Sequence, residues 1–316
     1  MSIFIAEGMH QAGVIRLKDQ GLPIVTTEKS FAKDEVQVLV VRSVFQVNGR
    51  TIKDFPNLKV VAKLGTGLDN IDQEACAQNN VRVLSAPAMN SVSTAEFAVT
   101  QILNFFKNSF EIYARVKERD FRRHLYFGRE LSELSAGIIG YGSVGQNIAK
   151  CLKPFVKDLY VLDRNQPQTT QKEGLHFVGH LNDLLAEADI IVLAVSLKNN
   201  EAMVNGDFLA QLKSNALLVN IARGGLVDEA ALIKFLKRNP QVFYICDVLK
   251  NEPDYTRAPE SQDYQNPLLD LPNVLFTPHI AGMTEESQQK IAVAIADKIL
   301  SLNYANTKDE LCVPEK

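Results

Sequence analysis

Four stretches of the chain carry residues able to do chemistry. Gly140-Tyr141-Gly142-Ser143-Val144-Gly145 has the spacing G-x-G-x-x-G. Glycines at those places permit a tight turn and let backbone approach a pyrophosphate, whose charge the amino end of a following helix meets. Arg223, in Asn220-Ile221-Ala222-Arg223-Gly224-Gly225-Leu226-Val227-Asp228, offers a planar two-pronged donor to a carboxylate and its neighbouring carbonyl oxygen. His279, in Thr277-Pro278-His279-Ile280-Ala281-Gly282, supplies an imidazole, the side-chain type suited to giving or taking a hydroxyl proton. Glu252, in Asp247-Val248-Leu249-Lys250-Asn251-Glu252-Pro253, supplies a carboxylate that would fix and charge-stabilise such an imidazole. Each of the three reads alone as a turn, loop or helix-entry residue. Together, downstream of a dinucleotide loop, they point to hydride exchange between a nicotinamide and a small 2-hydroxy or 2-keto acid.

These residues need a frame that brings strand ends together. Short β-branched runs recur at helix-length intervals: 3–6, 24–27, 38–41, 60–63 and 81–84, then 137–139, 159–162, 190–195, 217–221, 242–246 and 274–277. Continuous rather than alternating apolar runs predict strands buried on both faces, hence parallel sheets with helices on either side. In such open α/β sheets ligands bind beyond the carboxyl ends of the strands, where Arg223, Glu252 and His279 fall. Asp163 ends the strand 159–162 and can accept from adenosine ribose hydroxyls, which favours NAD; Arg164 beside it softens that preference. Eleven strands exceed one comfortable sheet, so the chain is expected to divide. Ser93-Thr94-Ala95-Glu96 has the form of a capping box and predicts one long helix to about residue 118. A second long helix is expected over about 285–302, and residues 253–272, with several prolines, read as an irregular loop. The domains expected are 1–95 with 287–316, and 96–286.

Bulk properties narrow the class. A net charge of −3 over 316 residues gives no extended face for nucleic acid. Cys76, Cys151, Cys246 and Cys312 are far apart with no metal-like spacing, so no metal is expected and the thiols read as those of a cytoplasmic protein. The amino terminus lacks a basic region followed by an apolar run, and no apolar stretch reaches the ~20 residues of a membrane span.

The segments around the glycine loop, Arg223, Glu252 and His279, together with Leu64-Gly65-Thr66-Gly67-Leu68-Asp69-Asn70-Ile71-Asp72 and Asn90-Ser91-Val92-Ser93-Thr94-Ala95-Glu96, occur in one order. In this the chain resembles the D-isomer-specific 2-hydroxyacid dehydrogenases over essentially its whole length. The resemblance implies an α/β fold of two Rossmann-like, doubly wound parallel-sheet domains: a flavodoxin-like substrate domain built from both chain ends, and an NAD-binding domain. It implies a homodimer, NAD as cofactor, and a catalytic set of Arg223, Glu252 and His279. Cofactor contacts would come from Thr66, Gly140, Gly142, Ser143, Val144, Gly145, Asp163, Ala222, Asp247 (on the nicotinamide amide) and Ala281. Backbone N–H groups of Gly65, Thr66 and Gly67 would hold the substrate carboxylate. Arg42 matches a substrate-binding arginine of members that act on phosphorylated acids, and Lys63 stands where those members carry another arginine, so a phosphorylated substrate is expected. The run Arg119, Arg122, Arg123 and His124 adds positive charge or is a solvated helix end. Val195-Ser196 departs from the usual Thr-Pro, the loop 254–270 is longer than usual, and no regulatory extension of the kind some relatives carry is expected after the last helix. A hydroxypyruvate/glyoxylate reductase and a non-enzymatic, NADH-sensing corepressor-like binding protein are the alternatives.

Overall fold

The computed structural model describes residues 2–26, 31–165, 174–255 and 257–305. The chain divides into Met1–Asn90 with Met283–Lys316, and Ser91–Gly282, boundaries four or five residues before those the sequence led us to expect.

The first unit holds a five-stranded parallel sheet among the described residues: β1 (Ser2–Ile5), β2 (Ile24–Thr26), β3 (Val36–Val41), β4 (Val60–Lys63) and β5 (Arg82–Leu84), in the order β2-β1-β3-β4-β5. Thr27 of the expected second strand lies outside the described residues. Alternate residues of each strand serve opposite faces, and both faces are buried. Ile3, Ile5, Val38, Val40 and Val60 pack with Ile291, Ile295 and Ile299 of the helix Glu285–Ala305. Phe4, Leu39, Val41 and Val61 pack with Ile52 and Phe55.

The second unit is a seven-stranded parallel sheet: β6 (Ala136–Ile139), β7 (Leu159–Leu162), β8 (His176–Val178), β9 (Ile190–Leu193), β10 (Leu217–Asn220), β11 (Phe243–Cys246) and β12 (Val274–Phe276). Its order, β12-β11-β10-β9-β6-β7-β8, reverses direction between β9 and β6. A crevice for a ligand opens at such a switch point, beyond the strand ends. One face packs on the helices Ser91–Phe106 and Ser143–Leu152 through Ile102, Ile148 and Leu152, the other on Leu184, Phe208, Leu232 and Leu236.

Two expectations need correction here. The helix begins at Ser91, not at Ser93, so Ser93 and Glu96 form no capping box; Ser93 Oγ donates instead to the Ala281 carbonyl at 2.8 Å. The long helix is also broken. Asn108 takes a left-handed conformation (φ 52°), and its side chain donates to the Phe127 carbonyl, separating Ser91–Phe106 from a second helix, Ser109–Lys117. Asparagine tolerates that conformation better than most residues. Strand β8 is the one the sequence reading omitted: three residues, partly exposed, at the sheet edge.

Candidate active site

The glycine loop lies at the end of β6, beside the switch point. Gly140 has φ +101°, and a Cβ there would stand 2.5 Å from the Ala194 carbonyl oxygen. A Cβ on Gly145 would lie 2.0 Å from the Gly140 oxygen, so here loop and helix touch backbone to backbone. Gly142 differs: a Cβ there meets nothing within 4 Å. The helix Ser143–Leu152 starts inside the motif, with Gly142 as a cap that offers no side-chain acceptor. Its first N–H groups therefore face the open side of the loop, the arrangement that receives a pyrophosphate. Asp163 braces this cradle: one carboxylate oxygen accepts from Tyr141 N at 2.6 Å and the other from Asn165 N at 2.8 Å. Each oxygen keeps acceptor capacity for a ribose hydroxyl. Arg164 is exposed, and its Nη2 donates to Asn200 Oδ1 at 3.2 Å. These residues fit a dinucleotide.

Strands β10, β11 and β12 are consecutive neighbours, with Asn220 opposite Cys246 and Cys246 opposite Phe276. Arg223, Glu252 and His279 follow their three ends. Glu252 and His279 meet: Nδ1 of His279 is 2.9 Å from Oε2 of Glu252, with the two side chains 38% and 26% exposed. A carboxylate at Nδ1 selects the tautomer with the proton there and leaves Nε2 for acid–base work. His279 sits at φ +54°, a left-handed conformation for a non-glycine residue. Two backbone bonds hold it, from its N–H to the Asp247 and Thr277 carbonyls, both at 2.9 Å.

Asp247 organises this turn. It is 1% exposed, and its carboxylate accepts from Thr277 Oγ1 (2.7 Å), Ile280 N (3.0 Å) and Ala281 N (2.8 Å). Burial, the largest influence, pushes its pKa up against those hydrogen bonds. A carboxylate has about four acceptor positions, so one on Oδ2 is left for a further donor. Asn220 does the same for Arg223. Fully buried, it accepts from Ala222 N at 3.1 Å and donates to the Arg223 carbonyl at 2.9 Å and to Tyr244 Oη at 3.2 Å. Sequence reasoning missed Asn220 and Thr277. The available signal was a lone amide closing an otherwise apolar strand, since a buried polar group must be hydrogen-bonded.

In the first unit, Gly65 (φ +158°) and Thr66 follow β4, and the Gly65 carbonyl accepts from Ala86 N at 2.9 Å. Arg42 follows β3, and its Nη2 donates to Gln288 Oε1 at 2.6 Å. Lys63 departs from expectation. It is 7% exposed, and its ammonium donates to the Arg42 carbonyl and to Asn70 Oδ1, while Asn70 Nδ2 donates to the Arg42 and Phe45 carbonyls. A long cation beside such acceptors turns inward, and there Lys63 braces the Arg42 turn. Of the basic run, Arg122 pairs with Asp120 at 2.8 Å, and Arg119, Arg123 and His124 are exposed, as at a solvated helix end.

Residues 99–281 match the family model of the D-isomer specific 2-hydroxyacid dehydrogenase, NAD binding domain. The chain belongs to the D-isomer-specific 2-hydroxyacid dehydrogenases, and its second unit is their NAD-binding domain. It is 33% identical over 308 residues to D-3-phosphoglycerate dehydrogenase of Methanocaldococcus jannaschii, covering 95% of this chain and 57% of that protein. It is 32% identical to hydroxypyruvate reductase of Thermotoga maritima over 84% of each chain. The fold matches that of D-lactate dehydrogenase from Aquifex aeolicus, with a TM-score of 0.83 at 24% identity over 97% and 96% of the two chains. The chain thus spans little more than half the length of the phosphoglycerate dehydrogenases it matches.

Proposed function

We propose that this chain is an NAD-dependent D-2-hydroxyacid dehydrogenase acting on 3-phosphoglycerate and 3-phosphohydroxypyruvate, a cytoplasmic homodimer serving serine biosynthesis. The Glu252–His279 pair at the carboxyl edge of the NAD-binding sheet is the observation that carries the reading. In the reducing direction Arg223 grips the substrate carboxylate and polarises the keto oxygen. His279 delivers a proton from Nε2 to that oxygen as it becomes a hydroxyl, and in the oxidising direction takes it back. Glu252 keeps the ring oriented through Nδ1 and stabilises it when charged. The Gly65-Thr66-Gly67 turn supplies backbone donors to the carboxylate, and Arg42 the cation for the distal phosphate. NAD, when bound, supplies or accepts the hydride. Thr66, Ser143, Val144, Ala222 and Ala281 complete the cofactor contacts, and Asp163 favours NAD over NADP. Support for the dimer comes from the exposed apolar residues Phe110, Tyr113, Phe121 and Phe127, the last 80% exposed.

One observation favours hydroxypyruvate as a second reading: the Lys63 ammonium is already engaged by the Arg42 carbonyl and Asn70 Oδ1, which weakens it as a cation for a phosphate. A panel of 2-keto acids, read by NADH and NADPH absorbance, decides. Phosphohydroxypyruvate should give the highest kcat/KM, with NADH preferred, and Arg42→Ala should raise KM for it alone. If neither the parent nor His279→Ala consumes NADH with any 2-keto acid, the dehydrogenase reading is wrong.

A further inference from the structure

The loop after Glu252 holds a buried group without a partner. The Tyr255 hydroxyl is shielded from solvent and makes no hydrogen bond among the described residues. Such a group is costly to leave unmade, and in a folded protein it calls for an explanation. Its segment is not loose. Asp254 O accepts from Gln262 Nε2 at 3.0 Å, and Asn266 Nδ2 donates to Glu229 Oε2 at 3.1 Å, while Glu229 Oε1 accepts from Lys250 N at 2.8 Å. Leu268 is fully buried and closes the loop onto the sheet.

Glu252, Asp247, Tyr264 and Cys246 are the titratable groups near enough to act on the charge of the phenol. Burial first, then the charge of Glu252 and Asp247, pushes its pKa up, so it stands as a neutral donor in search of an acceptor. Asp247 already takes three donors, and its remaining acceptor position is the one the proposed function gives to the cofactor. The Tyr264 hydroxyl accepts from Asn266 Nδ2 at 3.1 Å. Burial holds the Cys246 thiol protonated, and sulfur is a weak acceptor. Glu252 remains. Its Oε2 takes His279 Nδ1, and its Oε1 has no partner among the described residues. The side chain is about a quarter exposed, so Oε1 has room to turn.

We propose that Tyr255 is a positioning residue for the acid–base pair: its hydroxyl donates to Oε1 of Glu252, opposite the oxygen that takes the His279 proton, and so sets how much negative charge the imidazole meets. This rests on the reading of Glu252 and His279 as the acid–base pair. The bond shares out the carboxylate's charge and orients it. Removing the donor leaves Glu252 a stronger partner for a charged imidazole. Reduction needs His279 charged and therefore fails as pH rises, so Tyr255→Phe should carry the alkaline limb of kcat/KM to higher pH, by roughly 0.5–1 unit.

The test records kcat/KM for keto-acid reduction against pH in the parent, Tyr255→Phe and Glu252→Gln, with the His279 ring titrated by NMR without substrate. The proposal expects Tyr255→Phe to raise both the limb and the NMR midpoint, and Glu252→Gln to lower both. If Glu252→Gln lowers them and Tyr255→Phe moves neither while raising Tm, the phenol has no acceptor and the proposal falls alone. If Glu252→Gln moves neither, the acid–base assignment falls and the proposal with it. The NMR titration needs no turnover, so a weakly active variant still gives an answer.

Discussion

Gly142 and Gly145 stand three residues apart in one loop, and alanine at each should fail for different reasons. At Gly142 the backbone is extended (φ −71°, ψ −167°), which alanine adopts without strain, and the added Cβ meets no protein atom within 4 Å. Stability should therefore stay level or rise by about 0.4–1 kcal/mol, because alanine restricts the unfolded chain. The methyl instead occupies open space beside the loop, where the pyrophosphate assignment places the ligand. Displacing one phosphate oxygen from an N–H loses a charge-assisted hydrogen bond of about 1.5–3 kcal/mol, roughly a 10- to 100-fold weaker Kd for NADH. At Gly145 the Cβ starts 2.0 Å from the Gly140 oxygen. Loop and helix must separate by more than about 1 Å, an overpacking of about 1–3 kcal/mol. For a unit of this size each kcal/mol lowers Tm by roughly 2–4 °C. Thermal melts and NADH titrations by calorimetry on both variants give the comparison. Gly142→Ala binding NADH as the parent does, with its fold intact, would refute the pyrophosphate assignment of this loop.

Three further outcomes follow from the site. Arg223→Lys keeps the charge but loses the fork, so kcat/KM for the keto acid should fall by about 10²-fold or more at unchanged NADH affinity; a change below tenfold would leave Arg223 without a carboxylate to grip. Lys63→Met keeps the volume but strips Asn70 Oδ1 of its donor, so urea unfolding should show a loss of about 1–3 kcal/mol. A variant as stable as the parent would return Lys63 to the ligand-binding role expected from the sequence. Asp247 gives a signed pH effect. Its folded pKa lies above the unfolded value of about 3.9, so the native state holds the extra proton and stability falls as pH rises through the interval between the two. Comparison of denaturant midpoints across that interval with Asp247→Asn, which has no such proton, checks the sign.

The sheets were legible because they are parallel and buried on both faces. Val38 to Val41 and Ile190 to Leu193 must be apolar at every position, and that writes continuous runs into the sequence. Where burial is partial the signal fades. His176–Val178 pairs on one side only and carries a histidine, and nothing in three such residues distinguishes a strand. The break at Asn108 was hidden for a different reason. Apolar spacing runs through it with little change of phase, and the kink is a matter of one residue's backbone and a bond to Phe127, nineteen residues on. Periodicity reports which face is buried, and says little about a single left-handed residue within it.

The site divides along the same line. Glycines and ionisable residues at strand ends announce themselves by type, and the Glu252–His279 contact joins two residues the sequence had already paired. What type could not reveal is what holds them. Lys63 was expected to face a ligand because the sequence gives its charge and not its neighbours; Asn70, seven residues on, is the acceptor that turns it inward. Asp247 was expected on the cofactor, yet most of its acceptor capacity goes to Thr277, Ile280 and Ala281. That commitment has a use. His279 stands in a backbone conformation that costs of order 1–3 kcal/mol for a non-glycine residue, and it persists only where its surroundings over-determine it. A buried carboxylate taking two consecutive N–H groups just after the histidine, with its own carbonyl on the histidine N–H, is such a surrounding. The histidine is thus set by Asp247 through the backbone and by Glu252 through the ring. Disturbing the first should misplace the acid–base group, and disturbing the second should change its charge.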